Sequence, residues 1–446
     1  MKLKQALWGG DRPGRAVTLG IQHVFAMFGS TVLVPALTGL DPAVTLLSMG
    51  IGTLIFHLVT RGMVPAFMGS SFSFIASICA VAAYCTENSI GNFASYVGWG
   101  IIASGVLYLI LSLLVKLFGA KRITGFFPPI VTGCMIIIIG MMLAPTAMGN
   151  ITGAIAGIPL WKNWLVAVVT IAVIILVMFF TRGFIKLVPI LIGIIVGYLL
   201  SLALGMVDTT PVAEARWFAL PQVSLPATTN WDAIVFSITL IAPISIVTFV
   251  EHVGDITANG AVTGHNYIEE PGLHRTLLGC GLASIFSGGM GGPAATTYSE
   301  NTGVLAATRN YNPATLRIAA VFAIVLGLFG KVSGILASIP TPVMGGVSVI
   351  LFGMIASVGL RMLVENKVDF TKSYNLVIAA VMLVIGLGLS SGIDIGNINI
   401  SGTAIAAVLG VILSKLLPKE DSDERKAMEK AKKSSKVHPK KKKKKR

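Results

Sequence analysis

Charge is what this chain has least of. Of its 446 residues only 12% are Asp, Glu, Lys or Arg, 54% are hydrophobic and the mean hydropathy is +0.83. A soluble core of this length cannot bury so much apolar surface, and too few charges remain to cover the outside, so a water-soluble globular domain is excluded. Cysteine is scarce too: Cys79, Cys85, Cys134 and Cys280 show no CxxC spacing, so neither a disulfide framework nor a metal site is expected. No HExxH, GxSxG or paired-Cys pattern is present to support an intramembrane enzyme. The tract Gly288-Gly289-Met290-Gly291-Gly292 lacks the Lys-Ser/Thr that a phosphate loop needs. A cleavable leader is not expected, because Met1 to Arg15 is polar and the first apolar stretch continues as a full span.

What the chain has is a succession of apolar stretches from Val17 to Leu417, each near the roughly 20 residues that cross a bilayer. They read as an all-α polytopic membrane protein of fourteen transmembrane segments, two of them broken. With the amino terminus in the cytoplasm, 31 of the 34 basic residues fall inside and only Lys162, Arg216 and Lys331 outside, which supports an even span number with both termini cytoplasmic. The net charge of +15 does not imply nucleic acid: residues 419–446 alone supply +9, and the rest is what positive-inside loops produce. The run Lys440 to Arg446 reads as a solvated, disordered tail that rests on anionic lipid at most.

The two halves carry the same punctuation. Gln22-His23 and Glu251-His252 lie 229 residues apart, and Pro65-Ala66 and Pro293-Ala294 lie 228 apart. Phe127-Pro128-Pro129 and Pro340-Thr341-Pro342 form a third pair. Seven spans per half is an odd number, so the halves are expected to be inverted repeats, the layout of many secondary transporters. Spans 3 and 10, from Met63 to Phe74 and from Met290 to Gly303, are rich in Gly, Pro, Ser and Thr. Ser71-Phe72-Ser73-Phe74 and Thr296-Thr297-Tyr298 favour short β-strands there before a half-helix begins. Non-helical backbone at membrane depth survives only where protein buries it or a cavity lies beside it, so two such breaks meeting would build a binding site. Purely structural re-entrant loops or glycine-packed crossings are the alternative.

Glu251 and Asp255, one helical turn apart within the apolar stretch from Ile234 to Ile256, are the most informative residues. A charge at the bilayer centre costs roughly 2.5–3.5 kcal/mol on insertion scales, so it is kept there when it faces protein or a watery cavity. Glu251 is expected to hold substrate or proton; Asp255 does the same or serves as a structural partner for a Ser or Thr across the bundle. His252 points about 100° away on the helix and is read as a packing histidine or a proton carrier. His23, beside Gln22, is read first as a contact that orients Glu251 and second as a proton carrier. His57, near a helix end, is expected to snorkel. Glu300 stands at the start of the half-helix after the second break. Half-helix amino termini offer free N–H donors and the carboxylates offer acceptors. A planar ring alternating C=O and N–H, stacked on Phe72 or Tyr298, satisfies both, and pyrimidinediones have such an edge. A channel is disfavoured because spans 5 to 7 and 12 to 14 lack a continuous polar stripe.

Several stretches together resemble the nucleobase-ascorbate transporter family (nucleobase:cation symporter 2), and most of all its bacterial uracil-transporting branch. They are Gln22 to Gly29, Gly69-Ser70-Ser71-Phe72, Glu251-His252-Val253-Gly254, Glu270 to Arg275, Glu300-Asn301-Thr302-Gly303 through Arg309, and Ile339 to Gly346. The resemblance implies a core domain (17–119 and 231–335) and a gate domain (120–230 and 336–417), flanked by a cytoplasmic segment (1–16) and the basic tail (418–446). It implies proton-coupled uptake of uracil through a bacterial cytoplasmic membrane by a homodimer, with no cofactor beyond the proton. It further implies that Glu251 and Glu300 hold the base, that backbone N–H groups at Phe72 and Ser299 meet its carbonyls, and that His23 and Asn301 support the site. Asp255 departs from the uracil pattern, which has a histidine there, and is similar to the purine-transporting branch; Glu300 is similar to the uracil branch. Xanthine or another oxopurine is therefore the alternative substrate.

Overall fold

The structure, a computed structural model, describes residues 13–155, 157–389, 392–395 and 398–418. The basic tail from 419 onward and the first 12 residues of the expected amino-terminal segment lie outside them.

The described chain is mostly helical. In order come α1 (Pro13–Thr38), α2 (Pro42–Val59), β1 (Met68–Ser70), a 3-10 turn (Phe72–Phe74), α3 (Ile75–Glu87) and α4 (Phe93–Phe118). Then follow α5 (Ala120–Thr124), α6 (Pro129–Met142), α7 (Ala144–Thr152), α8 (Leu160–Phe180), α9 (Pro189–Ala203) and α10 (Thr210–Glu214). The second half holds α11 (Trp231–Ile241), α12 (Ile244–Thr263), α13 (Leu273–Gly289), β2 (Ala295–Thr297) and α14 (Ser299–Thr308). It closes with α15 (Pro313–Leu328), α16 (Gly330–Ala337), α17 (Thr341–Glu365), α18 (Ser373–Gly388), β3 (Ile393–Ile395), β4 (Ile398–Ile400) and α19 (Gly402–Leu416).

Among the described residues seven helices, counting α6 with α7 and α11 with α12 as single runs, are long and apolar enough to cross a membrane. The pair α15 and α16, bent by 78° at Phe329, makes up to eight. The polar punctuation of the sequence sets their ends. Asp41 accepts from the N–H groups of Ala43 and Val44 ahead of α2, Asn230 from Ala233 ahead of α11, and Asn312 from Ala314 ahead of α15. Pro42, Pro129, Pro189, Pro313 and Pro342 stand in first turns, where a missing N–H costs nothing. Pro243 separates α11 from α12 inside what reads from sequence as one span.

The two Gly- and Pro-rich breaks meet. β1 pairs antiparallel with β2, Met68 opposite Thr297 and Ser70 opposite Ala295, and the exchange continues with Ser71 N–H to Ala294 O and Tyr298 N–H to Phe67 O. Side chains serve the outer edges: Thr53 Oγ1 accepts from Met68 N–H, and Ser284 Oγ accepts from Ala295 N–H. Extended backbone in an apolar interior is thereby supplied with partners. The first strand lies earlier than the aromatic run suggested. Met68–Ser70 is extended, whereas Phe72–Phe74 winds directly into α3, because Ser71 N–H makes the last bond across the ladder and the Phe74 ring is buried beyond it. The β3–β4 hairpin was not foreseen at all.

Around the strand pair, α13 packs on α2 and α4, and α15 on α1 and α2. The approach of α4 to α13 is backbone to backbone: a Cβ on Gly105 would stand 2.7 Å from Gly281 O, and one on Gly281 2.9 Å from Gly105 O. Without side chains at these crossings the helices close to van der Waals contact, as small residues permit in membranes. Elsewhere α17 packs on α6, α7 and α8, and α18 on α6 and α19.

Candidate functional site

Three carboxylates converge where α12 and the first turn of α14 pass the strand pair. Glu251 and Asp255 sit a turn apart on α12, and Glu300 is the second residue of α14, where its charge meets the positive end of the helix. They are close enough to interact electrostatically, Glu251 with Glu300 and Asp255 with both.

Each carboxylate is held by a hydroxyl. Ser73 Oγ donates to Glu251 Oε2 at 3.3 Å, Ser30 Oγ to Glu300 Oε1 at 2.8 Å, and Thr297 Oγ1 to Asp255 Oδ2 at 2.8 Å. Among the described residues none of the three is in an ion pair with Lys or Arg. Like charges gathered in a poorly solvated place without a counter-cation are unfavourable until a proton or a ligand donor relieves them. Acceptors for N–H groups and a place for a proton are therefore built into one locality.

The donor side comes from helix starts. Phe72 opens the 3-10 turn and Ser299 opens α14, and first-turn N–H groups have no partner within their own helix. Ser299 is exposed although Tyr298 beside it is buried. The Phe72 and Tyr298 rings are nearly parallel, 17° apart in plane with centroids 6.5 Å apart. Phe72 is partly open. Tyr298 is 4% exposed; its hydroxyl donates to Ser70 O at 2.9 Å and its ring lies where a Cβ of Gly69 would be. Tyr298 thus fixes the aromatic wall, and Phe72 presents the freer ring.

The histidines fall otherwise than expected in two cases. His23 is buried and meets Asn301, whose Nδ2 lies 3.1 Å from His23 Nδ1 and donates to His23 O at 3.1 Å. It braces the start of α14, hence Glu300, rather than orienting Glu251, because α1 packs on α14. Gln22 beside it keeps a buried, unpartnered Oε1. His57 does not snorkel: it is 2% exposed, with Nε2 3.0 Å from Ala66 O, and so ties α2 to the chain leading into β1. His252 turns away from Glu251 into the protein, with Nε2 3.0 Å from Thr276 Oγ1, Nδ1 3.5 Å from Thr297 Oγ1, and its ring edge-on to Tyr108.

Ser30 and Thr276 were not singled out from sequence, and Ser73 and Thr297 only as members of the extended runs, although a Ser or Thr partner for Asp255 was an expected alternative and Thr297 is that partner. For Ser30 a signal existed: it lies seven residues, two turns, beyond His23 on one face of α1, and the two residues contact neighbouring positions of α14.

A model described as a permease family, Xan_ur_permease, matches residues 14–395. The uracil permease of Bacillus caldolyticus is 44% identical over 415 residues, covering 92% of this chain and 94% of that protein. The uracil permease of Escherichia coli K12 is 39% identical, with the same coverage. A putative pyrimidine permease, RutG, of the same strain is 38% identical over 91% of this chain and 90% of its own. Among solved structures, the transmembrane domain of the cyanobacterial bicarbonate transporter BicA superposes with TM-score 0.67 at 17% identity, over 88% of this chain and 96% of that one. SLC26A9 superposes with TM-score 0.65 at 13% identity, over 90% and 64%. The likeness to these two is one of fold.

Proposed function

The chain belongs to the nucleobase-ascorbate transporter family of permeases, not of enzymes, and on that premise we propose that it imports uracil together with a proton through a bacterial cytoplasmic membrane. The observation that carries this reading is the meeting of Glu251 and Glu300 beside the paired breaks, each carboxylate held by a serine and, among the described residues, unpaired with Lys or Arg. Uracil offers what is missing. Its ring N–H groups suit Glu251 and Glu300, its carbonyls suit first-turn N–H groups at Phe72 and Ser299, and its face suits the Phe72 ring backed by Tyr298.

Protonation of Glu251, shared with Asp255 through their repulsion, supplies the coupling. A neutral carboxyl crosses an apolar passage more cheaply than a charged one, so the loaded carrier moves more readily once the carboxylate is neutralised. His23, Asn301 and Gln22 position Glu300, and His252 holds Thr297, the donor to Asp255.

Fourteen segments in two inverted sets fit the elements: the long helices, the bent pair α15 and α16, the shorter apolar helices with α3 among them, and α13 and α14. In this reading residues 17–119 and 231–335 form a core that rocks against a gate of 120–230 and 336–417, within a homodimer whose termini are cytoplasmic. Cells or vesicles bearing the protein should accumulate labelled uracil against its gradient and lose it when a protonophore is added. Accumulation that survives the protonophore would refute proton coupling, and competition by xanthine but not by uracil or thymine would reverse the substrate assignment.

A further inference from the structure

A crevice of about 670 Å³ opens between the end of α4, the short α5 and α19. Leu114 and Phe118 wall it on one side, Phe126 at its mouth, and Val408 and Ile412 on the other; Arg122 is the one charged side chain in its lining. Lys415 lies over Phe126, its Nζ 5.0 Å from the ring centroid, so a second cation rests on the same wall. Lys116, in the last turn of α4, and Lys121, on α5, are exposed nearby in sequence. Among the described residues none of these four is in an ion pair with an acidic group.

The volume falls in the range of about 300–1,000 Å³ that holds a discrete ligand. A nucleobase or sugar would find only the Arg122 guanidinium on these walls for its polar edge. A small inorganic anion would meet Arg122 but leave the apolar length unfilled. The matching chemistry is an anion joined to a hydrocarbon chain. Lipid-facing apolar surface is common on this molecule, Phe179 and Phe180 on α8 being 75% and 79% exposed. Basic pockets between transmembrane helices are where anionic headgroups bind.

We propose that this crevice is a binding site for one anionic phospholipid, its acyl chain between α4 and α19 and its phosphate against Arg122 and Lys415. Binding does not depend on what the protein transports. If the core and gate assignments above hold, the lipid sits on the seam between the moving parts and its occupancy sets how freely they separate.

Purified full-length protein, stripped of lipid and mixed with equal amounts of phosphatidylglycerol and phosphatidylethanolamine of matched chains, tests this by native mass spectrometry. The wild type should retain one phosphatidylglycerol in preference. Arg122→Gln with Lys415→Gln should lower that retention by roughly tenfold or more, the effect of removing two cations near a charged headgroup. Val408→Trp, which fills the crevice from an exposed position and leaves the charges in place, should lower it as well. A control, Arg182→Gln with Lys186→Gln, should retain lipid as the wild type does. Unchanged retention by the first double variant, or an equal loss in the control, would overturn the proposal.

Discussion

Glu251, Asp255 and Glu300 each take a hydrogen bond from a hydroxyl and, among the described residues, none is paired with Lys or Arg. Glu251→Gln keeps the shape and removes the charge; with hydrogen bonds to charged groups worth about 1.5–3 kcal/mol, uracil uptake should fall at least about tenfold. Full proton-coupled uptake by this variant would remove Glu251 from the mechanism. Asp255→Asn should act on coupling instead. On the proposed coupling, wild-type uptake should fall as external pH rises, because the coupled proton becomes scarcer, and the variant should show a flatter profile; an unchanged profile would leave Asp255 as the partner of Thr297 only. The carboxylates were legible in the sequence because charge in lipid is conspicuous. The serines were not. Thr38, Thr53 and Thr170 all donate to a carbonyl four residues back in their own helices, and nothing in composition separates such local bonds from those of Ser30 and Ser73 to the site.

At the scale of elements the β1–β2 ladder is the feature on which the site depends. Gly69 is required there, since any Cβ would occupy the place of the Tyr298 ring. Gly69→Ala should lower thermal stability by about 1–3 kcal/mol, the usual cost of overpacking, and weaken substrate binding through displacement of Phe72. A melting temperature and affinity equal to wild type would show that the ladder tolerates the shift. Both breaks were readable as Gly, Pro and hydroxyl residues inside apolar runs, and so was their extended character. The strand bounds were not, because β-propensity marked the aromatics of Ser71–Phe74 whereas pairing with Ala294 to Thr297 ends the ladder at Ser71. That His23 braces α14 was equally hidden, since which helix α1 crosses is a property of packing and not of α1 alone.

For the whole molecule, exposure runs along one side of α14: Ser299, Gly303, Ala306 and Ala307 are open, as are Thr257 and Ala258 on α12. This path leads from the carboxylates toward Arg309, the end the basic loops assign to the cytoplasm. Ser299→Cys, in a background lacking the four native cysteines, should react with a membrane-impermeant thiol reagent in inside-out vesicles faster than in right-side-out ones, and uracil should slow it. Equal rates from both faces would refute exposure toward the cytoplasm, and faster reaction in right-side-out vesicles would reverse the orientation. The ladder also bears on how the halves belong together. Because each break completes the other's backbone, a chain cut in the connection between α10 and α11 should still be latched across its middle, and two separately made halves have a seam at which to recognise each other. On the proposed site, recognition groove and assembly seam are then one object, so a change that suits a new ligand is also tested by whether the two halves still fasten.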